Sequence, residues 1–477
     1  MSLDSVFPLY QDWEVSQLGD VCKRGGGNVQ TGPFGSQLHA SDYVVEGIPS
    51  VMPQNIGDNR ILEAGIARIT EADAQRLSKY RLLEGDIIYS RRGDVERRAL
   101  VRESEEGWLC GTGCLRIRFG EGVVYPAYAA HYLGHPAVRE WIIRHAHGAT
   151  MPNLNTRILS ELPFVLPPWD AQVSIGDAIE FHDKKINLNR SINQTLEAMA
   201  QAIFKSWFVD FDPVKAKIAA IEQGQDPVCA AMRAISGKTD AELDQMPREH
   251  HDQLATAAAL FPDAMEESEL GDVPKRWNVV TLSKMIQLIG GGTPRRSESS
   301  YWGGAIPWFS VRDVPEDGNV WVIDTEEKIT LAGLQKSSTK LLREGTTIIS
   351  ARGTVGKLAL VGTEMAMNQS CYGVVGAEGV GEGFNYFNLK EAVEKLKQNT
   401  HGAVFDTITQ ATFETVLCVR PEDSVMKKFD ETVGPLLRCI KSNVLQSREL
   451  AALRDALLPR LLSGGVSVET LMNEVAQ

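Results

Sequence analysis

The sequence predicts an α+β fold: two β-rich domains separated by two long antiparallel coiled-coil helices, an internal pseudo-twofold repeat. Three observations lead there. The chain matches itself: His147-Gly148-Ala149 recurs as His401-Gly402-Ala403, and the match runs on without a gap from Leu154 against Ile408 to Leu196 against Leu450. Short apolar runs broken by glycine and proline fill the front of each half. The back of each half carries an apolar seam in alternating steps of four and three, as in a coiled coil. A period this long lies far above solenoid repeats and indicates duplicated domains, suited to a ligand that itself has two parts.

Residues 1–168 form the first domain. Asp86-Ile87-Ile88-Tyr89 and Leu115-Arg116-Ile117-Arg118 read as strands, and residues 126–145, with Tyr128, Tyr132, Leu133, Val138 and Ile142 at helical spacing, as one helix. The segment Gly85 to Gly93 returns as Gly345 to Gly353, Ile48-Pro49 as Ile306-Pro307, and Trp13 as Trp277. Arg91, Arg92, Arg97, Arg98 and Arg102 crowd one stretch, which suits either phosphates or a solvated strand edge paired with Asp94, Glu96 and Glu103.

Residues 169–212 are the first long helix. Positions 179, 182, 186, 189, 193, 196, 200, 203 and 207 carry Ile, His, Ile, Asn, Asn, Leu, Ala, Ile and Trp, and the equivalent seam returns in residues 422–477 through Phe429, Val433, Leu436, Ile440, Asn443, Ser447, Leu450, Arg454, Leu457 and Leu461. About 34 residues make a rod near 50 Å. Ile186, Asn189, Leu196 and Ile203, with Ile440, Asn443, Leu450 and Leu457, are the candidate pairing residues, and a buried asparagine at 189 or 443 would fix register at some cost in stability. A helical pair that merely makes a dimer is the alternative.

Residues 213–267 read as a partly helical linker, with Asp212-Pro213 ending the helix before it. Gly237-Lys238-Thr239 imitates the end of a phosphate-binding loop, but Met232 stands where the first glycine belongs. His250-His251 reads as a solvated loop, and Gly379, Gly381 and Gly383 as a turn. Residues 268–421 repeat the first domain, with strands Thr347-Ile348-Ile349-Ser350 and Tyr372-Gly373-Val374-Val375 and a helix from Tyr386 to Lys397.

Composition narrows the function. With 477 residues and 43% hydrophobic content, several cores can form. No long apolar run or signal peptide is read, so a cytoplasmic address is expected. Seven cysteines at irregular spacing read as core thiols, and Cys110 and Cys114 lack a second pair for a zinc site. The net charge of -13 argues against a lone nucleic-acid binder, yet residues 169–267 hold 9 basic and 17 acidic residues, and both β-rich segments are near neutral. No nucleophile elbow, HExxH, P-loop or methyltransferase glycine motif is found, so catalysis is not expected and no metal is assigned.

The run Ile186-Asn187-Leu188-Asn189-Arg190-Ser191-Ile192-Asn193-Gln194-Thr195-Leu196 through Trp207-Phe208-Val209-Asp210-Phe211 resembles the central region of the specificity subunit of type I restriction-modification enzymes. Tyr301-Trp302-Gly303-Gly304-Ala305-Ile306-Pro307-Trp308, Ile349-Ser350-Ala351-Arg352-Gly353 and Leu457-Leu458-Pro459-Arg460-Leu461-Leu462-Ser463-Gly464 resemble its other conserved segments. The first domain keeps only Tyr43 and Gly47-Ile48-Pro49 of the Tyr-Trp motif.

The resemblance implies a non-catalytic DNA-binding subunit. Each target-recognition domain would read one half of a bipartite asymmetric double-stranded DNA site. The helices would set the spacer and dock two adenine-methylating modification subunits, which two motor-nuclease restriction subunits join. S-adenosylmethionine, ATP and Mg would then belong to the partner subunits. The side chains with bidentate patterns for base edges are Gln37, Gln54, Asn55, Arg91 and Arg92 in the first domain and Arg295, Arg296, Arg312, Arg352 and Gln369 in the second. Arg92 and Arg352, matched before Gly93 and Gly353, suit a frame or phosphate role, since base readers should differ between halves. Two other classes stay open: a coiled-coil interaction protein without DNA binding, and the specificity part of a fused DNA methyltransferase.

Overall fold

The strand Ile87–Ser90 alternates between two cores, as a fully covered strand must. Ile87 and Tyr89 join a cluster with Leu115, Ile117, Tyr128 and Leu133, while Ile88 joins Val51, Ile56, Leu82, Ala99 and Cys110 on the other face. Ile349 and Ile348 divide in the same way in the second half. The computed structural model describes residues 13–148, 152–316, 318–399 and 407–462. The chain folds as two units, 1–186 with 449–477 and 187–448, so each long helix is shared between them. The recurrent His401-Gly402-Ala403, Ala149 and the closing Ser463-Gly464 lie outside the described residues.

In the first unit, one sheet has the spatial order Gly26–Thr31, Cys114–Gly120, Ile87–Ser90, Arg98–Leu100, and a second has Tyr43–Val44, Ala67–Ile69, Ile48–Val51, Leu109–Cys110. The second unit repeats the first order with Ile286–Gly290, Cys371–Gly376, Thr347–Ser350 and Leu358–Val361, and adds Trp321–Val322 at the edge. Its smaller sheet places Trp302–Phe309 between Lys328–Ile329 and Ala366–Met367.

Three expectations need correction. Residues 126–145 are two helices, Pro126–Gly134 and Pro136–His145, because His135 must be extended before Pro136. Asp212-Pro213 opens a helix, with Pro213 in its first turn where a missing N–H is harmless, after Phe211 has turned the chain at φ 57°. The linker is partly helical: Asp212–Glu222, Pro227–Ser236, Asp240–Asp244 and Arg248–Ala259 are joined by short turns. Its last three helices share a small core of Ala231, Met232, Leu243 and Ala258. His250 and His251 therefore sit on a helix instead of a loop. Gly237 is the left-handed C-cap of one linker helix, and Thr239 caps the next through Glu242, so this segment is helix punctuation.

The long helices are Trp169–Phe208 and Asp423–Leu462, 40 residues each. Within the second unit they run antiparallel: Asn189 lies against Gln446 and Ser447, Asn193 against Asn443, and Phe204 against Phe429. Ile186, Asn189, Asn193 and Ile440 are buried, and Leu196 and Ile203 pack partly against the core. The buried stripe widens beyond the predicted seam to Asp183, Phe204 and Phe208, because the β-rich domains also cover the helix there.

Asn193 Nδ2 donates to Asn319 Oδ1 at 2.9 Å, and its own Oδ1 accepts from Asn443 Nδ2 at 2.9 Å. This polar bridge ties both helices to the second domain. Replacing Asn193 by Ala strands two polar groups and is expected to lower unfolding stability by about 1–3 kcal/mol. The check is a lower urea midpoint at unchanged slope.

The second domain has a cluster of its own around Phe309, Ile348 and Met367, but its larger core is shared with the helices. Phe204 and Phe208 of the first helix and Phe429 of the second meet Trp277, Phe384 and Phe387 of the β-rich part, with Phe208 and Phe384 centroids 4.9 Å apart. The helix ends and the domain are one hydrophobic body.

Candidate nucleic-acid interface

Backbone hydrogen bonds gather the glycine-flanked loops of each unit at one end of its β-rich part. In the first unit Gly32 N donates to Cys114 O (2.9 Å), Gly111 N to Val51 O (2.9 Å), Arg91 N to Gly113 O (2.9 Å) and Leu154 N to Arg91 O (2.8 Å). In the second, Gly292 N donates to Met367 O (3.0 Å), Asn368 N to Phe309 O (2.9 Å), Ala351 N to Ser370 O (2.7 Å) and Ile408 N to Ala351 O (2.9 Å). Three of the four bonds of this frame recur at equivalent positions, those of Gly111 and Asn368, Arg91 and Ala351, and Leu154 and Ile408. Its close approaches demand glycine: a Cβ on Gly32 would lie 2.1 Å from Gly111 O, and one on Gly291 1.9 Å from Asn368 O.

The ten expected base-facing residues separate on this frame. Asn55 is fully buried; its Oδ1 accepts from Met52 N at 3.1 Å and its Nδ2 donates to Leu62 O at 3.0 Å. It closes a turn and has no face for a base. Gln37 is half-buried, and its amide oxygen accepts from Tyr80 Oη at 2.8 Å and from Phe34 N at 3.2 Å. Arg296 forks onto Glu327, with one branch at 2.9 Å, and stacks 4.0 Å from Trp302 and 5.0 Å from Trp308. That guanidinium holds the Glu327 carboxyl below its ordinary range, so Arg296 is committed to the loop. Gln369 is exposed but accepts from Thr293 Oγ1.

Gln54, Arg92, Arg295, Arg312 and Arg352 are exposed, and none makes a side-chain hydrogen bond or ion pair among the described residues. Arg92 bridges to Asn153 and Arg352 to Thr407 through their backbones, the same position in both frames. Arg91 is half-buried with an unpaired Nε, and its counterpart is the buried Ala351. His147 is exposed and pairs with Asn153 through backbone.

A second polar centre was not expected from the sequence. In the first unit, His131, Glu180 and Asp183 converge, all buried. Arg454 Nη1 donates to Asp183 Oδ1 at 2.7 Å, Asn59 Nδ2 donates to Asp183 Oδ2 at 3.1 Å, and Arg102 pairs with Glu180. His131 Nε2 stands 3.5 Å from Glu180 Oε2. Burial pushes both carboxyls up, but the His131 and arginine contacts outweigh it and hold both below their ordinary range. Three such ligand atoms can hold a cation, but two guanidinium groups already balance the two carboxylates, so the arrangement is an ion-pair network. Arg454 at a seam position that carries Ala200 in the first helix was the signal available in the sequence.

Cys110 and Cys114 are both buried, and burial pushes the Cys110 thiol up to about 12. None of the described helices is long and apolar enough to cross a membrane.

The HindI type I restriction enzyme specificity subunit of Haemophilus influenzae is 29% identical over 475 residues, 95% of this chain and 100% of that protein. The MjaIX specificity subunit of Methanocaldococcus jannaschii is 22% identical over 97% of this chain and 95% of its own. A crystal structure of a type I restriction-modification S subunit from M. genitalium covers 96% of this chain and 98% of that one at 13% identity, with a TM-score of 0.49. The type I restriction modification DNA specificity domain matches residues 10–198 and 274–417, most of both halves, and the chain belongs to that family.

Proposed function

We propose that the chain is the DNA-reading subunit of a type I restriction-modification complex, each β-rich domain reading one half of a split, asymmetric site. The observation that carries this is the loop frame largely repeated in both halves, with exposed arginine and glutamine side chains at its rim. Such side chains present paired donors or donor-acceptor patterns to base edges in the major groove. The near-neutral charge of both domains suits a subunit that leaves much of the phosphate contact to partners and commits its own residues to bases.

In this reading the long helices set the unread spacer and dock two modification subunits, which methylate adenine with S-adenosylmethionine. Two restriction subunits bring ATP- and Mg-dependent translocation and cleavage. The complex works in the cytoplasm. The chain itself contributes recognition and assembly, and no step of methyl transfer is assigned to its residues.

Methylome sequencing of cells that express the chain with its modification subunit tests the reading. Two short specified blocks separated by a fixed unread gap are expected, and a single contiguous motif would refute it. The purified chain alone, given labelled S-adenosylmethionine and DNA, is expected to transfer no methyl group. Transfer by the nuclease-free chain would favour the fused-methyltransferase alternative.

A further inference from the structure

We infer that Gln54 and Arg312 are one specificity position used twice, Gln54 specifying an adenine in the half-site of the first domain and Arg312 a guanine in that of the second. The inference rests on the DNA-reading role proposed above.

Both residues occupy the middle of the same short turn. Pro53–Asn55 follows the strand Ile48–Val51, and Val311–Asp313 follows Trp302–Phe309. The turns close alike: Asn55 Oδ1 accepts from Met52 N at 3.1 Å, and Asp313 Oδ2 accepts from Ser310 N at 2.8 Å. The strands leading in also share register, with Ser50 and Val51 beside Leu109 and Cys110 in parallel, and Trp308 and Phe309 beside Ala366 and Met367. The backbone therefore delivers residues 54 and 312 to equivalent places.

What surrounds the pair is alike, and what it presents is not. Asn55 and Asp313, Ser90 and Ser350, Arg92 and Arg352, Gly93 and Gly353 are the same or isosteric, and they hold the frame. Two copies that read different sequences must keep such residues and vary the ones that touch bases. Position 54/312 varies between two side chains that are both base-competent, both exposed and neither bonded among the described residues. Two other variable pairs lack this property. Arg91 stands against buried Ala351, and Thr112, whose hydroxyl is buried, against Gln369, which Thr293 holds. A glutamine amide matches adenine N6 and N7, and a guanidinium fork matches guanine O6 and N7.

The test uses the chain with its modification subunit, methylome sequencing of the variants, and binding of the purified complex to a duplex panel changed one base pair at a time. Arg312→Gln is expected to reduce preference at one guanine of the second half-site by about 5- to 150-fold, toward adenine, and leave the first half-site unchanged. Gln54→Arg should do the reverse in the first half-site only. Arg312→Lys keeps the charge without the fork and should lose the discrimination while keeping overall binding. An unchanged motif, or weakening that is uniform across all duplexes, would overturn the inference and make the position a phosphate contact. A wild-type complex that methylates no split site would instead overturn the reading beneath it, and this inference with it.

Discussion

Replacing residues 268–421 by the corresponding segment of another family member is expected to exchange one half-site entirely and leave the other intact. The frame that presents the loops of the second unit, from Gly292 through Asn368 to Ile408, lies wholly within that segment, so its readout should travel with it. Stability should not travel so freely. Trp277, Phe384, Phe387 and Phe413 of the segment share a core with Phe204, Trp207, Phe208 and Phe429 of the helices. A donor that fills this core with other volumes leaves cavities or overpacks it, at about 1–5 kcal/mol for each badly matched large side chain. Exchanges that keep these aromatics should therefore yield a hybrid split motif in the methylome and a normal melting temperature. A hybrid in which both half-sites changed, or in which neither did, would refute the modular reading.

The repeat made the topology legible. Because Gly85 to Gly93 and Gly345 to Gly353 match in sequence, equivalent strands in the two halves are legible though their pairing order is not, and Asn189 and Asn443 do lie at the helix pairing. Local chemistry overrode periodicity where a single residue governs the backbone. Pro136 cut a helix whose apolar spacing ran through it, and Pro213 opened one where it had been read as a stop. The candidate site was legible only as a set of residue types. Arginine and glutamine in glycine-flanked loops are chemically equal on paper. Arg296 and Asn55 were separated from Arg312 and Gln54 by contacts that no spacing encodes: Glu327 lies 31 positions from Arg296, and Leu62 seven from Asn55. The buried charges were hidden for the same reason, since Asp183 and Arg454 are 271 positions apart.

That pair gives the largest expected effect of a single side chain. Arg454→Ala leaves Asp183 buried, with Asn59 donating to it and His131 Nδ1 4.0 Å away, and is expected to destabilise the protein by about 3–5 kcal/mol. Asp183→Asn with Arg454→Met removes both charges and should recover much of the loss, because two well-packed neutral groups replace a costly desolvated pair. The pH dependence has a defined sign. Glu180 and Asp183 are held below their ordinary values of 4.5 and 3.8, so their contribution is complete above about pH 4.5 and disappears as the pH falls through the lowered values. Urea unfolding of the wild type should therefore lose stability steeply in acid, and the double variant should show a shallower acid limb. If Arg454→Ala proved as stable as the double variant, or if the acid limbs coincided, the network would hold nothing together. The depression of both carboxyls, set against burial that alone would raise them, makes the opposite result the expected one.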